Sequence, residues 1–240
     1  MSAPHASSLV RLGIPAIAVF VGTSFVLGCA RARLASDEPA ASGLRRAGLA
    51  AGGVLAWLGV TGLLAASGVL ARFDLRPPPL LVLMAAVVGM GAAVGLSPLG
   101  RRLARGLPLA ALVGIQGFRL PLELVMHRAA NEGVMPAQMT FGGWNYDIVT
   151  GVTALLLAPL IARGLAPRWA IVSWNGLGLT LAIAIGAIAV ASTPAIHAFG
   201  TAPDRLNTWV THFPYVWLPA GPVVFALAGH IIVARRLAAA

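Results

Sequence analysis

The amino-acid sequence predicts an all-α, polytopic integral membrane protein, a bundle of seven transmembrane helices in one domain that covers residues 1–240. Hydrophobic residues make up 58% of the chain and charged residues only 10%, whereas soluble domains carry about 25% charged residues. The apolar residues lie in segments of about 20, the length that crosses about 30 Å of hydrocarbon. Arginines cluster between these segments, as they do at the ends of membrane helices.

Composition also excludes several classes of protein. All 17 basic residues are arginine, so a retinal protein, which needs a Schiff-base lysine, is excluded. The net charge of +10 does not indicate a nucleic-acid partner, because the arginines lie at helix ends rather than along one soluble face. Cys29 is the single cysteine, which rules out an intramolecular disulfide and a multi-cysteine metal site.

Charged residues and prolines divide the chain into the seven predicted spans. Arg31 follows the first span, and the three prolines at 77–79 mark a stiff loop before the third. Pro121 predicts a kink within the fourth span, and Pro219 and Pro222 predict a bend in the seventh. The predicted spans cover residues 9–30, 49–70, 80–99, 107–129, 147–162, 169–192 and 213–233.

The arginines predict the orientation. With the N-terminus outside, eleven arginines fall on the inner side and five on the outer side, which favours N-outside and C-inside in a bacterial cytoplasmic (cell) membrane. That orientation requires an odd number of spans. The inner arginines are Arg31, Arg33, Arg45, Arg46, Arg101, Arg102, Arg105, Arg163, Arg168, Arg235 and Arg236, and the outer ones are Arg11, Arg72, Arg76, Arg128 and Arg205.

The fourth span carries a polar stripe. Gln116, Arg119, Glu123, His127 and Asn131 follow one another at intervals of three or four residues, so they share one face of a helix. A charged side chain that faces lipid costs about 2.5–3.5 kcal/mol, so the stripe is expected to face the bundle or a wet cavity. The sequence therefore predicts a polar interior around this helix.

Depth along the helices predicts a partner for Arg119. A rise of 1.5 Å per residue places Arg119 just past the middle of the bilayer and Glu123 about 6 Å nearer the outside. Asp147, at the start of the fifth span, lies at the depth of Glu123. Arg119 is therefore expected to contact Glu123, Asp147 or both.

Residues beyond the stripe extend the candidate site. The loop before Asp147 contains Gly142-Gly143, which permits close approach of backbone, and the seventh span is preceded by His212 on the same side. These features predict an outward-facing polar pocket among predicted helices four, five and seven. The candidate ligand-binding residues are Gln116, Arg119, Glu123, His127, Asn145, Asp147, His212 and Tyr215.

Three functions remain open from the sequence. The favoured one is binding or transport of a small polar or anionic molecule, since arginine binds anions through paired hydrogen bonds. The second is a membrane-embedded enzyme with Glu123 or Asp147 as acid or base, although no catalytic motif identifies catalytic residues. The third is a structural or accessory subunit in which the polar network serves helix packing only.

The expected partners are the lipid bilayer and the small ligand, and no cofactor is expected. A metal bound by Glu123, His127, Asp147 and His212 is an alternative without a specific motif. A haem held by the two histidines has equally weak support. A homo-oligomer through the Gly91/Gly95 face of the third span is considered, because small residues four apart let membrane helices approach closely.

Overall fold

The computed structural model describes residues 6–32 and 40–239, and within these ranges all regular elements are helical. The all-α prediction is confirmed. The α-helices are α1 (Ser8–Arg31), α2 (Ala40–Ala66), α3 (Pro79–Leu96), α4 (Pro98–Gly106), α5 (Leu109–Gly114), α6 (Arg119–Asn131), α7 (Ile148–Ala162), α8 (Arg168–Ala191) and α9 (Val224–Ala238).

Six helical segments of the described chain are long and apolar enough to cross a membrane, which is consistent with a multi-pass membrane protein. They are α1, residues 41–66 of α2, α3, the segment Leu109–Asn131 that contains α5 and α6, α8, and the segment Pro219–Ala238 that ends in α9. The remaining predicted span corresponds to α7, which is apolar but has only 15 residues. The count of seven spans therefore stays a prediction.

Several predicted boundaries differ from the structure, including the ends of the second and seventh spans, which lie at Ala66 rather than residue 70 and at Ala238 rather than residue 233. Helix α2 begins at Ala40 rather than residue 49, because alanine and arginine favour helix and continue it beyond the apolar run. The last span begins at Pro219 rather than residue 213, and Pro214, which has no N–H to donate, lies in the irregular stretch before it. The third predicted span breaks at Ser97, whose hydroxyl accepts a hydrogen bond from Gly100 N at 3.0 Å and begins α4.

Irregular helical turns lie at or beside both places where prolines predict a bend. A 3₁₀ turn at Ile115–Phe118 separates α5 from α6 shortly before Pro121. A π-helical turn at Pro219–Val223 precedes α9. These irregular turns accommodate residues whose missing N–H groups cannot continue the α-helical ladder.

The Gly91/Gly95 face packs inside the chain against α9. A side-chain carbon added at Gly91 would lie 2.9 Å from Leu227 Cβ, and one added at Gly95 would lie 2.7 Å from Ile231 Cβ. The two glycines thus bring the backbones of α3 and α9 together. The proposed oligomer contact through this face is wrong, because α9 already covers it.

The helix ends divide into two groups. At one end, which we call the arginine-rich end, Arg235 Nη1 donates to the carbonyls of Gly95 and Ser97, and Arg168 Nη2 donates to that of Leu237. Arg168 and Arg235, two of the arginines predicted to lie inside, thus contact neighbouring helix ends at this end of the bundle. At the opposite end, Ser7 N donates to Glu132, so the start of α1 is joined to the end of α6.

Candidate functional site

Arg119 begins α6 and is buried, with 1% of its surface exposed. Its Nη1 donates to Asp147 Oδ1 at 2.5 Å and to the Gly178 carbonyl at 3.2 Å. The predicted contact with Asp147 is confirmed. One side chain thereby joins α6, the start of α7 and the middle of α8.

Glycine makes this close approach of α7 possible. A side-chain carbon at Gly151 would lie 2.5 Å from Leu120 N and 3.1 Å from Arg119 Cβ. Further along, Gly114 faces Ala158 in the same way, so α7 runs antiparallel to the α5–α6 segment. Asp147, just before α7, is placed beside Arg119 by this packing.

Glu123 lies near Arg119 in sequence but has a different hydrogen-bond partner. Asn145 Nδ2 donates to Glu123 Oε1 at 2.8 Å and to Oε2 at 2.9 Å. Asn145 Oδ1 accepts from Asp147 N at 3.0 Å, and its Nδ2 also donates to Met139 O, so the amide orientation is fixed by both neighbours. Asn145 therefore links the segments that carry the two carboxylates.

Asn175 and His230, two further buried polar residues, connect α8 and α9. We call them, together with Arg119, Glu123, Asn145 and Asp147, the buried polar group. His230 Nδ1 lies 2.9 Å from Asn175 Oδ1, and Asn175 Nδ2 donates to the His230 carbonyl at 3.2 Å. The sequence indicates that Asn175, deep in an apolar span, needs a hydrogen-bond partner, and His230 supplies it. Counting the helical rise from the ends of α8 and α9 places the two at similar depths and would have found the pair.

Several buried polar atoms of this region have no hydrogen-bond partner among the described residues. They are Gln116 Oε1, Arg119 Nε, Arg119 Nη2 and His230 Nε2. Most buried polar groups in proteins are hydrogen-bonded, so such a concentration needs an explanation. Water or a polar ligand would satisfy these atoms.

The other candidate residues lie away from Arg119. His127 stacks on Phe141 with ring centroids 4.4 Å apart. His212 lines a separate cavity of about 300 Å³ together with Trp209, and Tyr215 packs on that tryptophan with centroids 5.2 Å apart. The structure thus groups Arg119, Glu123, Asn145 and Asp147, and puts His127, His212 and Tyr215 in other contacts.

The metal alternative is not supported. Within the described ranges, no three His, Cys, Asp or Glu side chains come close enough together to hold a metal ion. The four residues considered for metal therefore do not form one ligand set.

The candidate site is closed toward the end of the bundle opposite the arginine-rich end. Residues 133–147, which we call the covering segment, follow α6 and pack over it without forming an α-helix. Gln138, Met139, Thr140 and Asn145 of this segment are each no more than 4% exposed. Gln138 Nε2 anchors the segment by donating to Arg205 O at 2.7 Å and to Ser192 Oγ at 3.1 Å.

A cavity lies on the other side of the polar group, which the sequence did not predict. It has a volume of about 630 Å³ and lies between α1, the α4–α5 region and α9. Apolar side chains form most of its wall, and Gln116 lies at the boundary between the cavity and the buried polar group. We call it the apolar cleft.

Comparison of the chain with protein-family models, with curated proteins and with solved structures gave no match.

Proposed function

We propose that this multi-pass membrane protein binds and transports a small polar or anionic molecule, with Arg119 as the residue that binds the anionic group. The observation that carries the proposal is that only one side of the Arg119 guanidinium has hydrogen-bond partners in the part of the protein that the structure describes. Nη1 binds Asp147 and Gly178, while Nε and Nη2 have no hydrogen-bond partner among the described residues.

The unpartnered edge is the one that arginine uses for bidentate binding. The same chain provides an example at its surface, where Arg72 Nε and Nη2 donate to the two carboxylate oxygens of Asp74 at 2.8 and 2.7 Å. Arg119 presents the same pair of nitrogens in a buried setting, where a charge-assisted pair is stronger than in water. A carboxylate or phosphate oxygen pair fits this edge chemically.

The neighbouring residues support this role. Asp147 and the Gly178 carbonyl hold Nη1 and so fix the plane of the guanidinium. A fixed plane favours binding because little side-chain freedom is lost on ligand contact. Because the unpartnered nitrogens are buried, binding requires a change in the covering segment or in the packing of Gln116.

A packing role for Arg119 is the competing explanation, and its contacts with two other helices favour it. Arg119→Lys separates the two functions, since lysine keeps the positive charge but lacks the planar fork. The experiment measures thermal unfolding of the purified protein with acetate, inorganic phosphate or sulfate. If Arg119 binds the anion, Arg119→Lys should unfold near the wild-type temperature and lose the stabilisation that an anion gives to the wild type.

The controls are Arg119→Ala and Arg72→Lys. Arg119→Ala should lower stability by about 3–5 kcal/mol, because it leaves the buried Asp147 carboxylate without its partner. Arg72→Lys changes an exposed pair and should alter neither stability nor anion response. A folded Arg119→Lys variant with the full anion response would refute the binding role.

A further inference from the structure

The lining and the volume of the apolar cleft indicate which chemical class of ligand it can hold. Three phenylalanines, Phe25, Phe118 and Phe225, contribute to its wall, and the rings of Phe25 and Phe225 are 5.2 Å apart. Its volume of about 630 Å³ falls within the range of roughly 300–1,000 Å³ that small-molecule sites occupy. Ser24 and Arg31 of α1 also line the cleft, but most of its wall is apolar. A mainly apolar wall binds hydrocarbon and disfavours a strongly hydrated ion.

The cleft exists because α1 separates from the start of the α5–α6 segment. Towards the covering segment, α1 packs tightly on α6, where a side-chain carbon at Gly13 would lie 2.9 Å from Val125. At the arginine-rich end, Gly106 packs against the backbone of Ala32. Between these two contacts Leu27 and Ala111 line the cleft and are exposed, so the cleft opens sideways, toward the bilayer of a membrane-embedded chain.

Gln116 connects the cleft with the buried polar group. It lines the cleft, and its side-chain amide packs directly on Gly229, the residue before His230. Arg119 follows Gln116 by three residues, about 5 Å along the helix. The cleft thus ends within one helical turn of Arg119, on the side away from the covering segment.

From this arrangement we infer that the ligand is an amphiphilic anion, whose charged head binds at Arg119 and whose hydrocarbon tail occupies the apolar cleft. This inference rests on the proposed function. Gln116 lies between head and tail, where its amide can hydrogen-bond the head. The sideways opening lets the tail come from the membrane, so the head need not cross a wide aqueous path.

The test compares two linear carboxylates that share a head and differ in tail, acetate and octanoate. The protein is placed in phosphatidylcholine nanodiscs, which add no anionic lipid, and the dissociation constants are obtained from the shift in unfolding temperature. Octanoate should bind more tightly than acetate, by about fourfold for each methylene that the cleft buries. Equal affinity for the two anions, or no response to either, would overturn the inference.

Two matched variants locate the tail. Ala111 and Ala56 are both exposed helical alanines, and Ala111 lines the cleft whereas Ala56 lies on α2 outside it. Ala111→Phe should remove the advantage of octanoate and keep the response to acetate, and Ala56→Phe should behave as wild type. Their unfolding temperatures without anion show whether each variant is folded. An octanoate advantage that survives in Ala111→Phe would overturn the inference.

Arg119→Lys distinguishes failure of the inference from failure of the proposed function. If both anions lose their effect in Arg119→Lys while Ala111→Phe keeps the octanoate advantage, Arg119 binds the head and the cleft does not hold the tail. If Ala111→Phe loses the advantage and Arg119→Lys responds fully to octanoate, the cleft binds a tail without Arg119, and both proposals are wrong as stated. Loss in both variants supports the amphiphilic anion.

Discussion

Gly178 is the residue at which the two parts of the buried polar group meet. Its carbonyl accepts from Arg119, and its Cα faces the ring of His230. A methyl group there would lie 2.7 Å from both His230 Nε2 and Thr150 Cγ2, which is shorter than a van der Waals contact. Gly178→Ala should therefore lower the free energy of unfolding by about 1–3 kcal/mol, the usual cost of overpacking.

Gly176 provides the control on the same helix, since no atom lies within 4 Å of an added methyl group there. Gly176→Ala should be neutral or should stabilise by up to about 1 kcal/mol, because alanine favours helix over glycine. Reversible unfolding in mixed detergent micelles measures both variants. Equal stabilities would contradict the close packing of α8 on α9.

At the scale of residues, the sequence predicted the Arg119–Asp147 pair but not its surroundings. The pair could be found because a buried charge needs a partner and helical rise fixes depth. The hydrogen bond from Arg119 to the Gly178 carbonyl could not be predicted, because every residue has a backbone carbonyl and the sequence does not mark which one accepts. His212 and Tyr215 were grouped with Arg119 by depth alone, and depth does not determine which helices are neighbours.

Glu132 joins two elements, the start of α1 and the end of α6. Its carboxylate accepts from Ser7 N at 2.8 Å and from Arg128 Nε at 2.5 Å. The hydrogen bonds from Ser7, followed by that from Arg128, lower the pKa of Glu132 from 4.5 to about 2. Because the pKa is lower in the folded protein, the contribution to stability is complete above about pH 4.5 and is lost as the pH falls toward 2.

This linkage predicts a pH-dependent effect of Glu132→Gln. The variant should unfold at a lower temperature than wild type near neutral pH, because the amide loses the charge that strengthens both hydrogen bonds. The difference should shrink steadily as the pH falls from about 4.5 to about 2, where the carboxyl is neutral in the unfolded chain and half protonated in the folded one. Thermal unfolding of both proteins over this range measures it. A difference that stays constant with pH would show that Glu132 acts through its shape alone.

At the scale of elements, apolar length predicted where most helices lie, and local capping decided how they end. The first and sixth predicted spans match α1 and α8 to within one residue at each end. Helix α4 was missed because Ser97 and Pro98 restart a helix within what reads as one apolar segment and its basic flank. The sequence predicts a loop before Asp147, where the structure has the covering segment. The burial of this segment follows from contacts with α6 and α8, which sequence spacing does not show.

At the scale of the molecule, the contacts at the arginine-rich end constrain the number of membrane crossings. Arg235, near the end of α9, donates to the carbonyls of Gly95 and Ser97 at the end of α3. Both therefore lie on one side of the membrane, so the chain between them must cross an even number of times. The α5–α6 segment, α8 and α9 give three crossings, and α7 makes the number even.

Helix α7 spans about 22 Å for its 15 residues, less than the 30 Å of a typical hydrocarbon core. The covering segment accounts for the remaining depth, because it leads from the end of α6 to Asp147 beside Arg119. Such non-helical backbone is tolerated at membrane depth where protein surrounds it. In the covering segment Gln138, Met139, Thr140 and Asn145 are buried, whereas Trp144 and Tyr146 are exposed. We therefore predict that the covering segment and α7 together form the seventh crossing.

Reporter insertions test this prediction together with the predicted orientation. Insertions after Arg105, after Gly164 in the turn between α7 and α8, and after Arg236 should all report the cytoplasm, since the arginine distribution places these sites inside. An insertion after Ala202, between α8 and the last span, should report the outside and serves as the control. If α7 does not cross, Gly164 will report the side opposite to Arg105, and the even count required by the Arg235 contacts would have to be met in another way. If all four sites report the reverse side, the four crossings after Arg105 stand and only the orientation drawn from the arginines is wrong.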